Sequence, residues 1–293
     1  MKTTLTARRR PSPNESARNY FQEVLNGKNL PSLPMVARTV LKMIQNPDVN
    51  IQKLCRLLAD DTVLSARVLA VSRSPQYAQR SQPTTLLGAV QVLGFRTLAG
   101  IVFSNATHSL CLKGSKASEK LWNHSLGAAL AMRILSSRAG LRDSDLAFLA
   151  GLMHDIGQMI LLNGDPVGYE KLVREESPGR SPILDREQAA YGLDHCVMGF
   201  TLLNHWNMDS QLVQAVLNHH SDVSGDADNE LANLLTFADY LCWKADLGFF
   251  TEPSVPSEHT YARCGWDGEA STDEVVERIK EAYLAESLLF ESV

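Results

Sequence analysis

The chain has 293 residues, with 28 basic and 33 acidic side chains, so its formal net charge at neutral pH is −5. A hydrophobic content of 44% with 21% charged residues is typical of a globular protein with a substantial core and excludes wholesale disorder. The mild acidity argues against a nucleic-acid partner, and five scattered cysteines favour free thiols in a reducing compartment over a disulfide framework.

The hydrophobic period is helical along the chain and no run alternates as a strand should, so the predicted fold class is all-α. Residues 1–13 are predicted to form a flexible arm. A capping box at Ser12–Glu15 begins the first helix, and Gly27 is expected to end it. Further helices are predicted at 34–46, from Asn50, from Asp61, and at 86–93 with Gly94 as the stop.

A polar joint at 111–118 is predicted to separate an N-terminal helical lobe, 14–110, from a second lobe, 118–250. The second lobe has short helices and loops over 163–193. Its long helices are predicted at 118–138, 145–162, 194–206, 210–220 and 229–247. Residues 251–293 are predicted as a loop followed by a last helix that begins at Ser271.

No apolar run is expected to reach the roughly 18 residues that a membrane helix needs, because charged residues interrupt the best candidates. These interruptions are Arg96, Arg133 and the pair His154-Asp155. The N-terminal residues carry charge without the apolar region of a secretory signal. We therefore expect a cytoplasmic protein with no membrane partner.

The most informative stretch is Leu146–Leu162, where only His154, Asp155 and Gln158 are polar. A helix that is apolar on every face is a buried central helix. An ionised carboxylate there is costly unless it is paired or bound to a metal, because a low-dielectric interior replaces its water. The pair His154-Asp155 is thus either a hydrogen-bonded pair that satisfies the core or, as the candidate catalytic residues, part of a functional site.

Other titratable residues fall on the apolar faces or at the ends of further predicted helices. Each alone is more typical of a satisfied core group than of a ligand. Burying so many separately would need a partner for each, so together they favour one shared site. Imidazole and carboxylate suit Fe, Mn, Zn or Mg, and one or two divalent ions are therefore the expected cofactor. The predicted metal ligands are His124, His154, Asp155, His195, His219, His220 and Asp239.

The order of these residues resembles a known superfamily. His124, His154-Asp155 and Asp239 are similar to the metal-ligand signature of the HD phosphohydrolases. The wider sequence resembles the HDOD domain, a bacterial output domain that is related to HD hydrolases and usually found in signalling contexts. The resemblance covers roughly residues 20–250 and is carried by the segments 30–75, 89–100, 121–125, 150–158, 192–208, 217–220 and 237–241.

This resemblance implies an HD-domain-like helical bundle with an N-terminal helical lobe packed on it, so that residues 14–250 form the HDOD module. It places the ligand roles of HD hydrolases on four residues, His124, His154, Asp155 and Asp239. The other histidines, His195 and His219 or His220, match the additional ligands of relatives that bind two metals. A filled pair of sites activates water and braces a phosphoryl oxygen.

The sequence departs from the HD-GYP domains, the cyclic-di-GMP phosphodiesterases that the resemblance implies as the nearest enzymatic relatives. Position 158 is glutamine where they resemble HDIGK, and Ser221 follows His219-His220 where they have glutamate. The segment after Ser221 contains no GYP motif. The sequence therefore lacks a cation that helps to hold phosphate, and it argues against cyclic-dinucleotide hydrolysis in particular.

Two functions of different classes remain open. We place first a bacterial intracellular signalling module that acts by binding a signalling protein or a ligand, its histidine and aspartate cluster being vestigial core or a structural metal site. The alternative is a metal-dependent phosphohydrolase or phosphodiesterase that acts on a nucleotide or another phosphate ester. A mono- or di-iron redox enzyme on the same scaffold ranks third.

Overall fold

The computed structural model describes residues 13–45, 51–74, 77, 82–141, 143–174, 183–221, 230–249, 253, 255–266 and 272–290. The predicted arm and the capping residues Ser12 and Ser271 lie outside these ranges. Within the described residues the chain forms α-helices and no strand, so the predicted all-α fold class is confirmed. The boundaries at 14–110, 118–250 and 251–293 stay predictions.

The N-terminal part of the chain forms α1 (Pro13–Leu25), α2 (Met35–Gln45), α3 (Ile51–Asp60), α4 (Thr62–Ser72) and α5 (Leu86–His108). Asp61 caps α4, since its side chain accepts a hydrogen bond of 2.9 Å from the backbone N–H of Leu64. Gly94 has φ 74°, a left-handed conformation that favours glycine. The predicted stop at Gly94 is confirmed, because α5 consists of two helical segments, Leu86–Phe95 and Thr97–His108, that meet at a bend of 100° beside this glycine.

The remainder forms α6 (Lys116–Ala139), α7 (Ser144–Met153), α8 (Ile156–Gly164), α9 (Pro166–Arg174), α10 (Ile183–Tyr191), α11 (His195–His205), α12 (Ser210–Asn218), α13 (Glu230–Lys244), α14 (Glu258–Arg263) and α15 (Asp273–Phe290). Short helices over 163–193 were predicted and are present. The segment after 250 was predicted as loop, but it contains α14, whose first turn Ser257 caps through the backbone N–H of Thr260.

The prediction of one continuous central helix at 145–162 is wrong in one respect. The helix is interrupted at His154-Asp155, so the segment forms α7 and α8. Asp155 has the non-helical angles φ −99° and ψ 15° and stands at the start of α8. By length and composition the stretch Ser144–Gly164 reaches membrane-spanning size, so the expectation that no run is long enough was too strict. Its apolar window is 89% buried inside the protein, as in a core helix pair.

Two glycines, Gly151 and Gly157, allow close packing of the core helices. An added methyl group at Gly151 would lie 2.5 Å from the carbonyl oxygen of Ala128, so α7 contacts α6 backbone to backbone. At Gly157 the same methyl group would lie 1.9 Å from the carbonyl oxygen of His195. Because Gly157 has no Cβ, α8 and the first turn of α11 lie closer together than they could if residue 157 carried a side chain. This contact places His195 beside the α7–α8 break.

Outer helices cover this central layer. The N-terminal helix α1 packs on α8 and α10, with the rings of Phe21 and Tyr191 at 5.1 Å. Arg18 Nε donates to the carbonyl oxygen of Ala190, 2.7 Å away at the end of α10. On the other side α15 packs on α6, where the buried carboxylate of Glu286 pairs with Arg133.

Replacing Gly157 with alanine is expected to lower the free energy of unfolding by about 3 kcal/mol, since the methyl group meets backbone that cannot move aside. Urea denaturation of the variant measures this loss. Gly100→Ala in α5 is the matched control, because its methyl group would meet only the ring of Phe148 at 3.2 Å. A Gly157→Ala variant as stable as the control would contradict the close contact between α8 and α11.

Candidate metal centre

The structure brings the seven predicted residues to one place. They come from the middle of two helices and from the ends of others, where the backbone can turn adjacent side chains toward a common point. His124 lies within α6, His154 and Asp155 at the α7–α8 break, His195 at the first position of α11, His219 and His220 directly after α12, and Asp239 within α13. The break explains how the neighbours His154 and Asp155 both face inward.

Four side chains form the first half-site. His124 Nε2 lies 3.1 Å from His154 Nε2 and 3.1 Å from Asp239 Oδ1. Asp155 Oδ2 lies 3.5 Å from His124 Nε2 and 3.4 Å from His154 Nε2. All four are buried. Two imidazoles and two carboxylates therefore present nitrogen and oxygen atoms to one small volume.

The other oxygen of Asp155 faces the second half-site. Asp155 Oδ1 lies 3.4 Å from His195 Nε2 and 3.6 Å from His219 Nε2. The ring of His220 is 5.1 Å from that of His195 and 4.2 Å from that of His219, measured between centroids. Asp155 thus offers one carboxylate oxygen to each half-site and joins them.

Hydrogen bonds on the outer ring nitrogens orient the imidazoles. In each of four histidines Nδ1 meets an oxygen outside the centre, so Nδ1–H donates outward and Nε2 faces inward, where the neutral imidazole would offer its lone pair to a cation. The acceptors are Leu247 O for His124 at 3.0 Å, Gly151 O for His154 at 2.8 Å, Glu187 Oε2 for His195 at 2.7 Å and Val216 O for His219 at 2.7 Å. This is the arrangement that metal-binding histidines require.

Three inward-facing atoms have no hydrogen-bond partner among the described residues, although they are buried. They are Asp155 Oδ1, His195 Nε2 and His219 Nε2. Leaving such a group unsatisfied costs about 1–3 kcal/mol. Tetrahedral coordination with metal–ligand distances near 2.1 Å separates neighbouring ligand atoms by about 3.4 Å, and the distances given above lie between 3.1 and 3.6 Å. The residues present therefore fit divalent ions, with room for one in each half-site.

A second layer of residues behind His195 was missed from the sequence. Glu187 is fully buried in α10, and its Oε2 accepts from both the backbone N–H of His195 at 2.9 Å and its Nδ1–H. Tyr169 in α9 donates its hydroxyl to Glu187 Oε1 at 2.6 Å. One signal could have found Glu187, since it lies four residues from each of the buried Ile183 and Tyr191, on the apolar face of its helix.

The neighbouring histidines lower the pKa of both carboxyl groups of the centre. Burial alone would raise the pKa of Asp155, but the imidazoles of His154, His219 and His195 outweigh it and hold that pKa well below its ordinary value. Burial likewise opposes the charged form of Asp239, yet the hydrogen bond from His124 brings its pKa to about 2. Both carboxylates are thus ionised, as metal ligands must be.

A small cleft opens onto the centre. Four of its lining residues belong to the centre, namely His124, Asp155, His220 and Asp239. The other lining residues are Gln158, Ile183, Trp243, Gly248, Phe249 and Pro253. Among the described lining residues there is no lysine or arginine. The amide of Gln158 is a neutral hydrogen-bonding group at the position where HD-GYP domains resemble HDIGK, as the sequence predicted.

The model of the HDOD domain matches residues 30–222, more than half of the chain. The chain belongs to the HDOD family. The resemblance predicted from the sequence is therefore confirmed. The HDOD match contains His124, His154, Asp155, His195, His219 and His220, whereas Asp239 lies beyond its end.

Solved structures share the HDOD fold of this chain. An HDOD domain protein of unknown function from Geobacter sulfurreducens is 25% identical, with a TM-score of 0.71 over 92% of this chain and 97% of its own. A candidate signal transduction protein from Marinobacter aquaeolei VT8 is 19% identical, with a TM-score of 0.72 over 95% of this chain and 66% of its own. A candidate metal-dependent phosphohydrolase from Shewanella amazonensis SB2B is 18% identical, with a TM-score of 0.66 over 95% and 99%.

A curated relative of this HDOD protein is an uncharacterized protein of Treponema pallidum. The two are 23% identical over 202 residues, which is 66% of this chain. The chain spans 38% of the length of that relative.

Proposed function

We propose that the two half-sites bind a pair of divalent metal ions and that this HDOD protein uses them to hydrolyse a small phosphate ester. The observation that carries the proposal is the position of Asp155, whose two oxygens face two separate groups of inward-turned imidazoles. A vestigial core would replace or pair these groups, because unsatisfied buried polar atoms are destabilising. Here Asp155 Oδ1, His195 Nε2 and His219 Nε2 are buried and face one another at 3.4 and 3.6 Å, but none of them has a hydrogen-bond partner among the described residues.

When bound, a pair of divalent ions supplies a nucleophile from water at neutral pH and stabilises the charge on a phosphoryl group. The protein contributes the positioning. Asp155 holds the two half-sites at a fixed separation, and Glu187 fixes the ring of His195 through its Nδ1–H. Gln158 lines the cleft beside Asp155, and its amide N–H can donate to a phosphoryl oxygen of the ester.

The geometry favours hydrolysis over binding without turnover, which is the reverse of the order given by the sequence analysis. Binding without turnover ranked first because position 158 is not lysine and no GYP motif follows His220. Those departures concern how a substrate is held. The residues predicted as metal ligands and the groups that orient their imidazoles are all present, and in the proposed hydrolase these groups would serve the chemical step. The name of the Shewanella neighbour agrees with a hydrolase, although that likeness supports the fold alone.

Metal analysis combined with an assay of phosphate-ester hydrolysis tests the proposal. Protein stripped with a chelator is reloaded with Mn²⁺, Fe²⁺, Zn²⁺ or Mg²⁺, and we expect about two ions per chain together with hydrolysis of p-nitrophenyl phosphate or its diester. The matched control is His205→Ala, because His205 is exposed at the end of α11, outside the centre. Protein that takes up no ion, or that stays inactive with every metal, would overturn the proposal.

A signalling role is the second candidate, and the lack of a basic residue among the described cleft residues favours it. With no lysine or arginine among the described lining residues, the cleft suits retention of a ligand as well as its turnover. In that case the metal centre binds a ligand without hydrolysing it, and a signalling partner would respond to the ligand-bound state. Stoichiometric metal and tight binding of a phosphate compound, without turnover, would favour this candidate.

A further inference from the structure

Trp243 stands on the wall of the cleft, one helical turn from the metal centre. It lies four residues after Asp239 in α13, and residues four apart occupy the same face of a helix. One turn advances about 5.4 Å along the axis. An ester whose phosphoryl group lies beside Asp239 would therefore extend its other group along Trp243.

The indole of Trp243 is held in place yet left open to solvent. A large aromatic ring is normally buried, but Trp243 is 37% exposed. Gly248 packs against it so closely that an added methyl group would lie 2.8 Å from Cδ1 of the indole. The ring of Tyr240 lies nearly parallel to it at 6.4 Å, with an interplanar angle of 25°. The glycine and the tyrosine thus support an aromatic face that remains accessible.

The loop that supports the indole also supports the metal centre. Leu247, next to Gly248, accepts the hydrogen bond from Nδ1 of His124 at 3.0 Å. The same turn continues to Phe249, which lines the cleft together with Trp243. The aromatic wall and a ligand of the first half-site are therefore fixed by one short segment, 247–249.

We propose that Trp243 is a stacking platform, and that the substrates of the centre are phosphate esters of a planar aromatic or heteroaromatic group. This inference rests on the proposed function and names its substrate class. The described walls offer aromatic and aliphatic surface and no cation, so the ester group is recognised by its flat face rather than by its charge. The amide of Gln158 is the polar group available to the edge of such a ring.

Binding of two phosphonates, which cannot be hydrolysed, tests the platform without turnover. Phenylphosphonate carries a planar ring and methylphosphonate does not, and calorimetric titration of the metal-loaded protein gives the Kd of each. We expect phenylphosphonate to bind roughly tenfold more tightly, the size of one aromatic stacking contact. Trp243→Leu should abolish that preference and leave methylphosphonate unchanged, whereas Trp243→Phe should retain most of it.

The outcomes separate this inference from the proposed function. Equal affinity for the two phosphonates, or a preference that survives in Trp243→Leu, overturns the platform even if the protein hydrolyses phosphate esters. A preference that depends on Trp243 supports it even if no ester is hydrolysed, and in that case only the hydrolase fails. If the metal-loaded protein binds neither phosphonate, the platform is also overturned. Leu284→Ala is the matched control, since Leu284 is another exposed apolar residue but lies in α15.

Discussion

Asp155→Asn is expected to abolish hydrolysis and to reduce metal binding at both half-sites. Asparagine keeps the shape of the side chain but replaces one carboxylate oxygen with an NH₂ group that donates hydrogen bonds and cannot bind a cation. Because Oδ1 and Oδ2 face different half-sites, the single change affects both. Replacing a residue that hydrogen-bonds to a metal ligand typically lowers metal affinity or activity by about 10–100-fold. Loss of the Asp155 carboxylate, which faces both half-sites, should lower metal affinity and activity by more than this.

Metal content and turnover number of the purified variant measure the effect of Asp155→Asn. Asp239→Asn provides a matched comparison, because Asp239 contacts His124 in the first half-site alone. We expect that variant to lose one ion and to keep the other. If Asp155→Asn retained two ions, the carboxylate could not be the group that joins the half-sites.

Glu187→Ala is expected to lower the free energy of unfolding of the metal-free protein by about 3–5 kcal/mol, the usual cost of removing one partner from a buried charged network. The carboxylate accepts three hydrogen bonds, from the hydroxyl of Tyr169, the backbone N–H of His195 and its Nδ1–H. Removing it leaves the two N–H donors of His195 buried and unpaired, whereas the hydroxyl of Tyr169 keeps Gln158 Oε1 as an acceptor at 3.0 Å. Urea denaturation in the presence of a chelator separates this cost from any effect of metal binding.

Two comparisons establish whether Glu187 acts by positioning His195. Glu187→Gln keeps an acceptor oxygen and should be less destabilising, while affinity for metal at the second half-site falls by about 10–100-fold. Glu170→Ala is the control, since Glu170 forms an ion pair with Arg174 on the accessible side of α9 and should cost at most about 0.5 kcal/mol. A Glu187→Ala variant no less stable than Glu170→Ala would contradict the network.

Much of the helical architecture follows from local sequence. The apolar spacing predicted α2, α6, α11 and α12 to within a few residues, and Asp61 was predicted to open the helix that it caps. The apolar composition of Leu146–Leu162 predicted that this segment lies in the core, because a helix without a polar face must be covered on all sides. The candidate site residues were proposed by the same reasoning, as titratable groups on apolar faces.

The break between α7 and α8 could not be inferred from periodicity. Leu146–Leu162 reads as one apolar helix, since its hydrophobic pattern continues through His154 and Asp155. The turn at this point depends on packing from distant parts of the chain, including the contact of Gly157 with the carbonyl oxygen of His195. A local pattern carries no information about a contact between residues so far apart in sequence.

The sequence by itself determined the fold class, the family and the seven side chains that converge, because apolar periodicity and the residues at fixed positions are local properties. Only the tertiary structure decided that Asp155 divides its oxygens between two half-sites, that Glu187 and Tyr169 support His195, and that Trp243 borders the cleft. These relations join helices that are far apart in the chain. They depend on the distances and orientations that packing imposes, which a linear order of residue types does not contain.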